Sequence, residues 1–321
     1  MTASPRVFVI HENPEWLPPL EAAFAAEGVP LEQLLLTDGS IDLAARPAPG
    51  VYWSRMSASA HTRGNTRSKD YTRAVLSWLE ASGARVVNGR SVIDLEVSKV
   101  QQHLALTRAG FDVPRTIAVF GRDGLAARAR EFGLPFISKH NQGGKGLGVR
   151  RFDSYEQFDA YVAGPDFEEP IDGITLLQEY LVSAEPFITR AEFVGGRFVY
   201  AVRVDTSSGS FELCPADACA VPGADGTITP MFQVREGFGS DPLVARYEGF
   251  LAQNGIEIAG IEFIETADGR RVTYDINTNT NYNPDVEASS PVSGPREIAK
   301  FLGGLLEQVP DAAPALAGRS A

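Results

Sequence analysis

Toward its C-terminal end the chain reads YDINTNTNYNPD (274–285). Asp275, Asn277, Asn279, Asn281, Asn283 and Asp285 fall on alternate positions, and alternate side chains of an extended segment share one face. Asp and Asn are poor strand formers, so such a row calls for a chemical reason. Upstream, GIEFI (260–264) is apolar on alternate positions around Glu262, and an Asp268-Gly269 turn signal separates the two stretches. A hairpin would set Glu262 near Asp275 and Asn277 across the strands. Two carboxylates and an amide together are unfavourable unless a cation binds them, and oxygen-only ligands suit a hard ion such as Mg2+. The competing reading is a solvated polar edge of a sheet.

A second stretch, HNQGGKGLGV (140–149), carries Gly143, Gly144, Gly146 and Gly148, with Lys139 before it and Lys145 inside it. Glycines let backbone N–H groups approach an anion, and lysines add point charges suited to phosphate. The string lacks the spacing and the Ser/Thr of a P-loop and lies between two predicted strands. It reads as a hairpin lid over phosphates, or as an ordinary glycine-rich surface hairpin. LLQEYL (176–181) is a strand whose end, Gln178, Glu179, Tyr180 and Leu181, can offer backbone groups and an apolar wall to a flat base. A basic cluster, SRMSASAHTRGNTRSKD (54–70), brings Arg55, His61, Arg63, Arg67 and Lys69 into an acidic protein. Arginine suits bidentate carboxylate or phosphate contacts, so the loop is a candidate for an anionic substrate, with a solvated loop as the alternative. Arg190 and Arg203, on the strands of a predicted hairpin, are available either to an anion or to a structural ion pair.

The elements that must position these residues follow from periodicity. Strands are predicted over 6–10, 50–54 and 84–88, with helices over 19–27 and 70–81 between them. Alternating strands and helices imply a parallel sheet covered by helices. A helix over 98–109 stops at Gly110; a strand entered through Pro114, a helix over 124–132, strands over 135–139 and 148–152, a helix over 154–163 and a strand over 174–181 follow. The remainder is strand-rich: FITRAEFV and RFVYAVRVD flank Gly195-Gly196, a hairpin signal. GFGSDPLVARYEGFLAQNG (237–255) reads either as a surface helix or as a dimer face. A closing helix covers 296–308, and the Ala/Pro-rich end reads as disordered.

The 321 residues are 44% hydrophobic, enough for a sizeable core in two or three subdomains. A formal net charge of -12 argues against a nucleic-acid or anionic-membrane partner. No run of about 20 apolar residues is present, so no membrane span is expected, and the opening MTASPRVFVIH is too short in apolar length for a signal peptide. Cys214 and Cys219 are the only cysteines, which fits a reducing, cytoplasmic setting. Their C-x4-C spacing lacks the two further ligands a zinc site needs.

In chain order, GARVVNG, SKVQQHLALTRAGFDVPRT, PFISKHNQGGKGLGV, LLQEYL, ITRAEFVGGRFVYAVRV and GIEFI with YDIN resemble the ATP-grasp superfamily, and within it the RimK-like carboxylate–amine ligases. The match runs from about residue 52 to about residue 283, and its specificity lies in order and spacing. The resemblance implies an α/β fold, α+β in its C-terminal part: a Rossmann-like pre-ATP-grasp domain over 1–95, a central lid subdomain over 96–178, a C-terminal subdomain over 179–308 and a flexible tail over 309–321. It implies ATP held between the last two subdomains, with two Mg2+ ions (Mn2+ as the substitute). The substrates would be small-molecule or peptide carboxylates and amines, joined through an acyl phosphate.

Residue by residue, Lys99 and Lys139 look like the phosphate lysines, and 143–148 like the lid loop. Gln178, Glu179, Tyr180 and Leu181 look like the adenine hinge and Glu185 like the ribose acid. Arg203, with Lys139 and Arg190, looks catalytic, Arg203 facing the transferred phosphoryl. Glu262, Asp275 and Asn277 look like the metal ligands. Arg55, His61, Arg63, Arg67, Asn279 and Asn281 are the substrate candidates. The chain departs from the family in having Ile188 where an acid often precedes the hairpin arginine, in exchanging Asp and Glu between the two metal carboxylates, and in the long TNTNYNPD after YDIN. A small-molecule kinase built on the same fold, or a nucleotide-binding regulator without turnover, are the alternative functions.

Overall fold

The computed structural model describes residues 4–144, 146, 148–207, 220–222 and 228–310. Lys145, Cys214 and Cys219 lie outside the described residues.

The N-terminal part comprises β1 (Arg6–His11), α1 (Pro18–Glu27), β2 (Leu31–Leu35), β3 (Gly50–Ser54), α2 (Ser68–Ala81), β4 (Arg85–Val87) and α3 (Arg90–Glu96). Its strands form a parallel sheet of order β2-β1-β3-β4. Both faces are covered, which is why β1 and β3 read as continuous apolar runs. Val7, Val9, Val51 and Trp53 pack on α1, while Phe8, Ile10 and Tyr52 pack on α2 and α3. Strand β2 and helix α3 escape the sequence reading. LEQLL is a half-exposed edge strand without alternation, and α3 is only seven residues long.

Helix α4 (Lys99–Arg108) begins at Ser98, whose hydroxyl accepts from the Gln101 N–H, a helix N-cap that places Lys99 at the first helical position. Then come β5 (Thr116–Phe120), α5 (Leu125–Ala129), β6 (Phe136–His140), β7 (Arg150–Phe152), α6 (Tyr155–Ala163) and β8 (Ile174–Glu179). The strands form an antiparallel sheet of order β5-β8-β6-β7. Phe136, Leu177 and Phe152 bury one face under α5 and α6. The other face, with Ile137 beside Gln178 and Lys139 beside Leu176, looks toward the rest of the molecule.

The C-terminal part contains β9 (Phe187–Val194), β10 (Arg197–Asp205), the short β11 (Ala220–Pro222) and β12 (Ile228–Pro230), then β13 (Phe232–Val234) and α7 (Pro242–Asn254). It closes with β14 (Ile258–Glu265), β15 (Arg271–Asn277), α8 (Pro284–Ser289) and α9 (Gly294–Leu306). The large antiparallel sheet has the order β13-β10-β9-β14-β15. One face, carrying Ala191, Phe193, Ala201, Ala259, Ile261 and Phe263, packs on α7 and on Leu106 of α4. Within the stretch 237–255, α7 turns Tyr247, Phe250 and Leu251 into the core. Helix α9 crosses back, and its Ile298, Ala299 and Leu302 join β1 and α1 in one core.

Candidate active site

The bare face of the large sheet and the bare face of the β6/β8 sheet enclose a cavity of about 500 Å3, within the usual range for small-ligand sites. On the large sheet the side chains stand in cross-strand rows, because directly paired residues share a face. One row is Val202, Arg190, Glu262 and Asp275; the next is Tyr200, Glu192, Gly260 and Asn277. Two irregularities shape these rows. Glu262 pairs with Asp275 but Phe263 pairs with Thr273, so Tyr274 is an extra residue. This bulge lets Tyr274 share a carboxylate with a residue of the regular row: the Tyr274 hydroxyl donates to Glu262 Oε2 at 3.0 Å, and the Asn277 amide donates to Glu262 Oε1 at 3.2 Å.

The second irregularity overturns one assignment. Between Phe198 and Tyr200 the β9–β10 pairing slips by one residue, so Arg203 stands opposite Thr189. A regular hairpin would have set it opposite Ile188, on the cavity face; a one-residue slip sends it to the other face. Arg203 stacks on Phe187 at 4.0 Å and lies 3.7 Å from Glu185, so neither the predicted phosphoryl arginine nor the predicted ribose acid is on the cavity wall. The arginine on the wall is Arg190. It donates to Glu192 at 2.6 Å and to the Thr280 hydroxyl, and lies 3.5 Å from Glu262. Burial alone would lower its pKa, but Glu192 and Glu262 hold it above the ordinary arginine value.

Lys99 forms an ion pair with Asp275. Burial opposes the charge of each, yet each favours the charge of the other, so Asp275 sits below the ordinary carboxyl value and Lys99 above its own. Glu262 is raised, first by burial and then by Asp275. Lys139, 5% exposed, faces this group from β6. Burial, with Lys99 adding to it, lowers its pKa to about 7.

Glu262 and Asp275, with Asn277 once its amide turns its oxygen inward, form an all-oxygen donor set that fits a hard divalent cation such as Mg2+. Gln178 (its Oε1 buried without a partner), Glu179, Tyr180 and Leu181 line the cavity at the end of β8, and Gly143, Gly144 and Gly146 line it from the lid side. Gly148 lies against the His140 ring. The lid is tethered at its root. Asn141 Oδ1 accepts from the Val100 N–H at 3.0 Å, its Nδ2 donates to Asp172 at 2.7 Å, and Gln142 accepts from the buried Lys69.

The polar ladder does face the cavity through Asp275, Asn277, Asn279, Asn281 and Asn283. It is not one strand: β15 ends at Asn277, Asn283 caps α8, and Asp285 is an exposed residue of that helix. The alternate residues hold it in place. Thr278 donates from N and Oγ1 to the buried Glu96, at 2.7 and 2.9 Å, and Thr280 Oγ1 bonds Glu192.

The basic loop is redirected. Arg55, 2% exposed, donates to Thr280 O at 2.7 Å and to Asn281 Oδ1 at 2.9 Å from behind the ladder. Arg63 pairs with Glu12 at 2.6 Å and stacks on Trp16. Arg67 is exposed beside Asp70, and His61 sits 3.5 Å from Lys69. None of the four is on the cavity wall; a carbonyl and an amide claim Arg55, Glu12 claims Arg63, His61 lies beside Lys69, and Arg67 points to solvent.

Sequence reasoning missed Glu192, Tyr200, Tyr282, Trp16 and Ser57, all on the wall. Glu192 was within reach: it follows Arg190 by two, so the two share a strand face. Gly260 has its reason here too, since a Cβ would lie 2.8 Å from Arg190 Nε and 3.0 Å from Glu192 Oε2. Gly260→Ala is expected to displace the pinned guanidinium, which should lower both the thermal midpoint and any ATP turnover, the latter by about 10²-fold. Turnover within threefold of the parent would show that Arg190 needs no such placement.

No protein-family model matches the chain. The fold is that of the ATP-grasp proteins. A RimK domain ATP-grasp protein from Sphaerobacter thermophilus superimposes with a TM-score of 0.63 at 19% identity, over 92% of this chain and 99% of that one. The D-cycloserine synthetase DcsG does so with 0.64 at 17% identity, over 94% and 99%, and the ATP-grasp ligase PsnB with 0.65 at 15%, over 94% and 99%. In sequence, the chain is 29% identical over 213 residues to a tetrahydromethanopterin:alpha-L-glutamate ligase of Methanosarcina acetivorans, spanning 62% of this chain and 64% of that relative. The ATP-grasp resemblance carried by the motifs is thus present in the fold. No helix among the described residues is long and apolar enough to cross a membrane.

Proposed function

We propose that the protein is an ATP-dependent carboxylate–amine ligase. The observation that carries this reading is the row Arg190–Glu262–Asp275, facing Lys139 across a cavity with a hinge at one end and a polar ladder at the other. The adenine lies at Gln178, Glu179, Tyr180 and Leu181, against Ile137. Lys99, Lys139 and the glycines 143–148, with Lys145, take the phosphates. Arg190 orients the substrate carboxylate. A carboxylate oxygen attacks the γ-phosphorus and ADP leaves, giving an acyl phosphate; an amine then attacks the acyl carbon and phosphate departs. Such a transfer needs positioning and charge neutralisation more than covalent help. Glu262, Asp275 and Asn277 would hold Mg2+, two ions by family resemblance, which when bound neutralises phosphate charge. The lid, tethered through Asn141 and Gln142, keeps water from the acyl phosphate.

The test is ATP turnover against pooled acids with and without amines, scoring ADP, AMP and adduct masses, with Asp275→Ala as the blank. ADP that requires both partners, with a condensed product, is the expected result. ADP without an amine requirement would indicate a kinase; AMP would break the mechanism.

A further inference from the structure

Beyond Asn277 the cavity changes character. Its wall there includes Tyr200, Tyr282 and Val286, with the two tyrosine rings 6.5 Å apart at 77°. Tyr200 and Val286 belong to a buried cluster that includes Ile188 and Val202, so an apolar surface stands here opposite the amides of the ladder. Large aromatic faces of this kind favour flat or branched apolar groups.

Among the described residues, the lysines and arginines on the cavity wall are Lys99, Lys139 and Arg190. Arg190 pairs with Glu192 and Glu262, and Arg63 with Glu12; Arg55 and Lys69 lie off the wall and donate to neutral groups, Thr280 and Asn281 for the first and Ala58 and Gln142 for the second. Lys139 stands on the opposite sheet, at the nucleotide end. Anions are present instead: Glu192 is on the wall, and Glu287 lies behind Tyr200, accepting its hydroxyl. A carboxylate brought here in addition to the reacting one would be buried without a cation, which costs several kcal/mol. Two buried polar atoms also lack partners among the described residues, Asn279 Oδ1 and the Tyr282 hydroxyl. The amide oxygen accepts an N–H, and the hydroxyl can accept one or donate its own proton.

We infer that this end of the cavity takes an amino-acid-like substrate with an uncharged aromatic or aliphatic side chain, its N–H groups on Asn279 and Tyr282, and rejects a second carboxylate. The inference rests on the proposed ligase only for the word substrate; the binding preference stands apart from turnover. It also sets the chain apart from its glutamate-ligase relative.

The test is equilibrium binding to the full chain saturated with Mg2+ and a non-hydrolysable ATP analogue, by calorimetry, for Phe, Tyr and Leu against Glu and Asp. The expected result is at least about tenfold tighter binding of the uncharged members. Tyr282→Ala is expected to lower that preference about tenfold while nucleotide affinity, the check on folding, stays the same. Equal or tighter binding of Glu or Asp would overturn the inference, as would no saturable binding by any uncharged member. A preference for Phe without ADP formation would keep this inference and remove the ligase; ADP formation with Glu alone would do the reverse.

Discussion

Asp275→Asn is expected to lower ATP turnover by roughly 10³-fold or more, the scale of losing a charged clamp on a transferring phosphoryl group. The same change should destabilise the protein. Lys99 pairs with Asp275 in a site where their side chains are only 12% and 15% exposed. Removing the carboxylate leaves a desolvated ammonium, at about 3–5 kcal/mol for a broken buried pair. Stability and chemistry must therefore be separated. Lys99→Met combined with Asp275→Asn removes both charges, so it should recover most of the lost urea stability. It should recover none of the turnover, because the negative charge opposite Glu262 is still missing and a phosphate lysine has gone with it. ADP release and urea unfolding on the parent, the single and the double variant make the comparison. If turnover returned with stability, Asp275 would be a structural partner of Lys99 and the phosphate end of the cavity would have to be placed elsewhere.

The pairing of Glu262 with Asp275 was legible before any coordinates because apolar flanks and an Asp-Gly turn constrain the hairpin. So were the strands buried on both faces, since VFVI and VYW admit few other readings. Strand β2 was not, because its edge position leaves no hydrophobic alternation to detect. Composition likewise named the basic residues of 54–70 but not their direction. Arg55 and Arg63 look alike in sequence, and only packing shows that the first supports Asn281 from behind while the second meets Glu12. The two hairpin arginines show the sharpest limit. Period-2 reasoning assigns faces only while pairing stays regular, and the slip at Val199 and the extra Tyr274 each invert or duplicate a face. Both irregularities border the cavity, where re-aimed side chains are useful. Sequence periodicity therefore fails at the places where this fold builds its chemistry.

Lys139→Met is expected to lower turnover by about 10³-fold and to change a proton balance that a purely structural lysine would leave alone. In the free protein Lys139 has a pKa of about 7, lowered by burial and by Lys99. Bound phosphate supplies the missing counter-charge, so the lysine should regain its proton as nucleotide binds. Uptake should approach about nine-tenths of a proton at pH 8 and fall to about a tenth at pH 6. Calorimetry of the non-hydrolysable analogue in buffers of different ionisation enthalpy measures it, and the difference between parent and Lys139→Met isolates this residue. Stability supplies an independent sign. A lysine lowered from 10.5 to about 7 penalises the folded state fully below pH 7, and the penalty fades as pH rises toward 10.5, where the unfolded chain also loses its proton. Without nucleotide, Lys139→Met should thus be more stable than the parent at pH 6, with the gap narrowing by pH 9.5. Equal proton uptake by both proteins at pH 8 would remove Lys139 from the phosphate site. A stability gap that widened with pH would show that the buried lysine is paired rather than held ready for an anion.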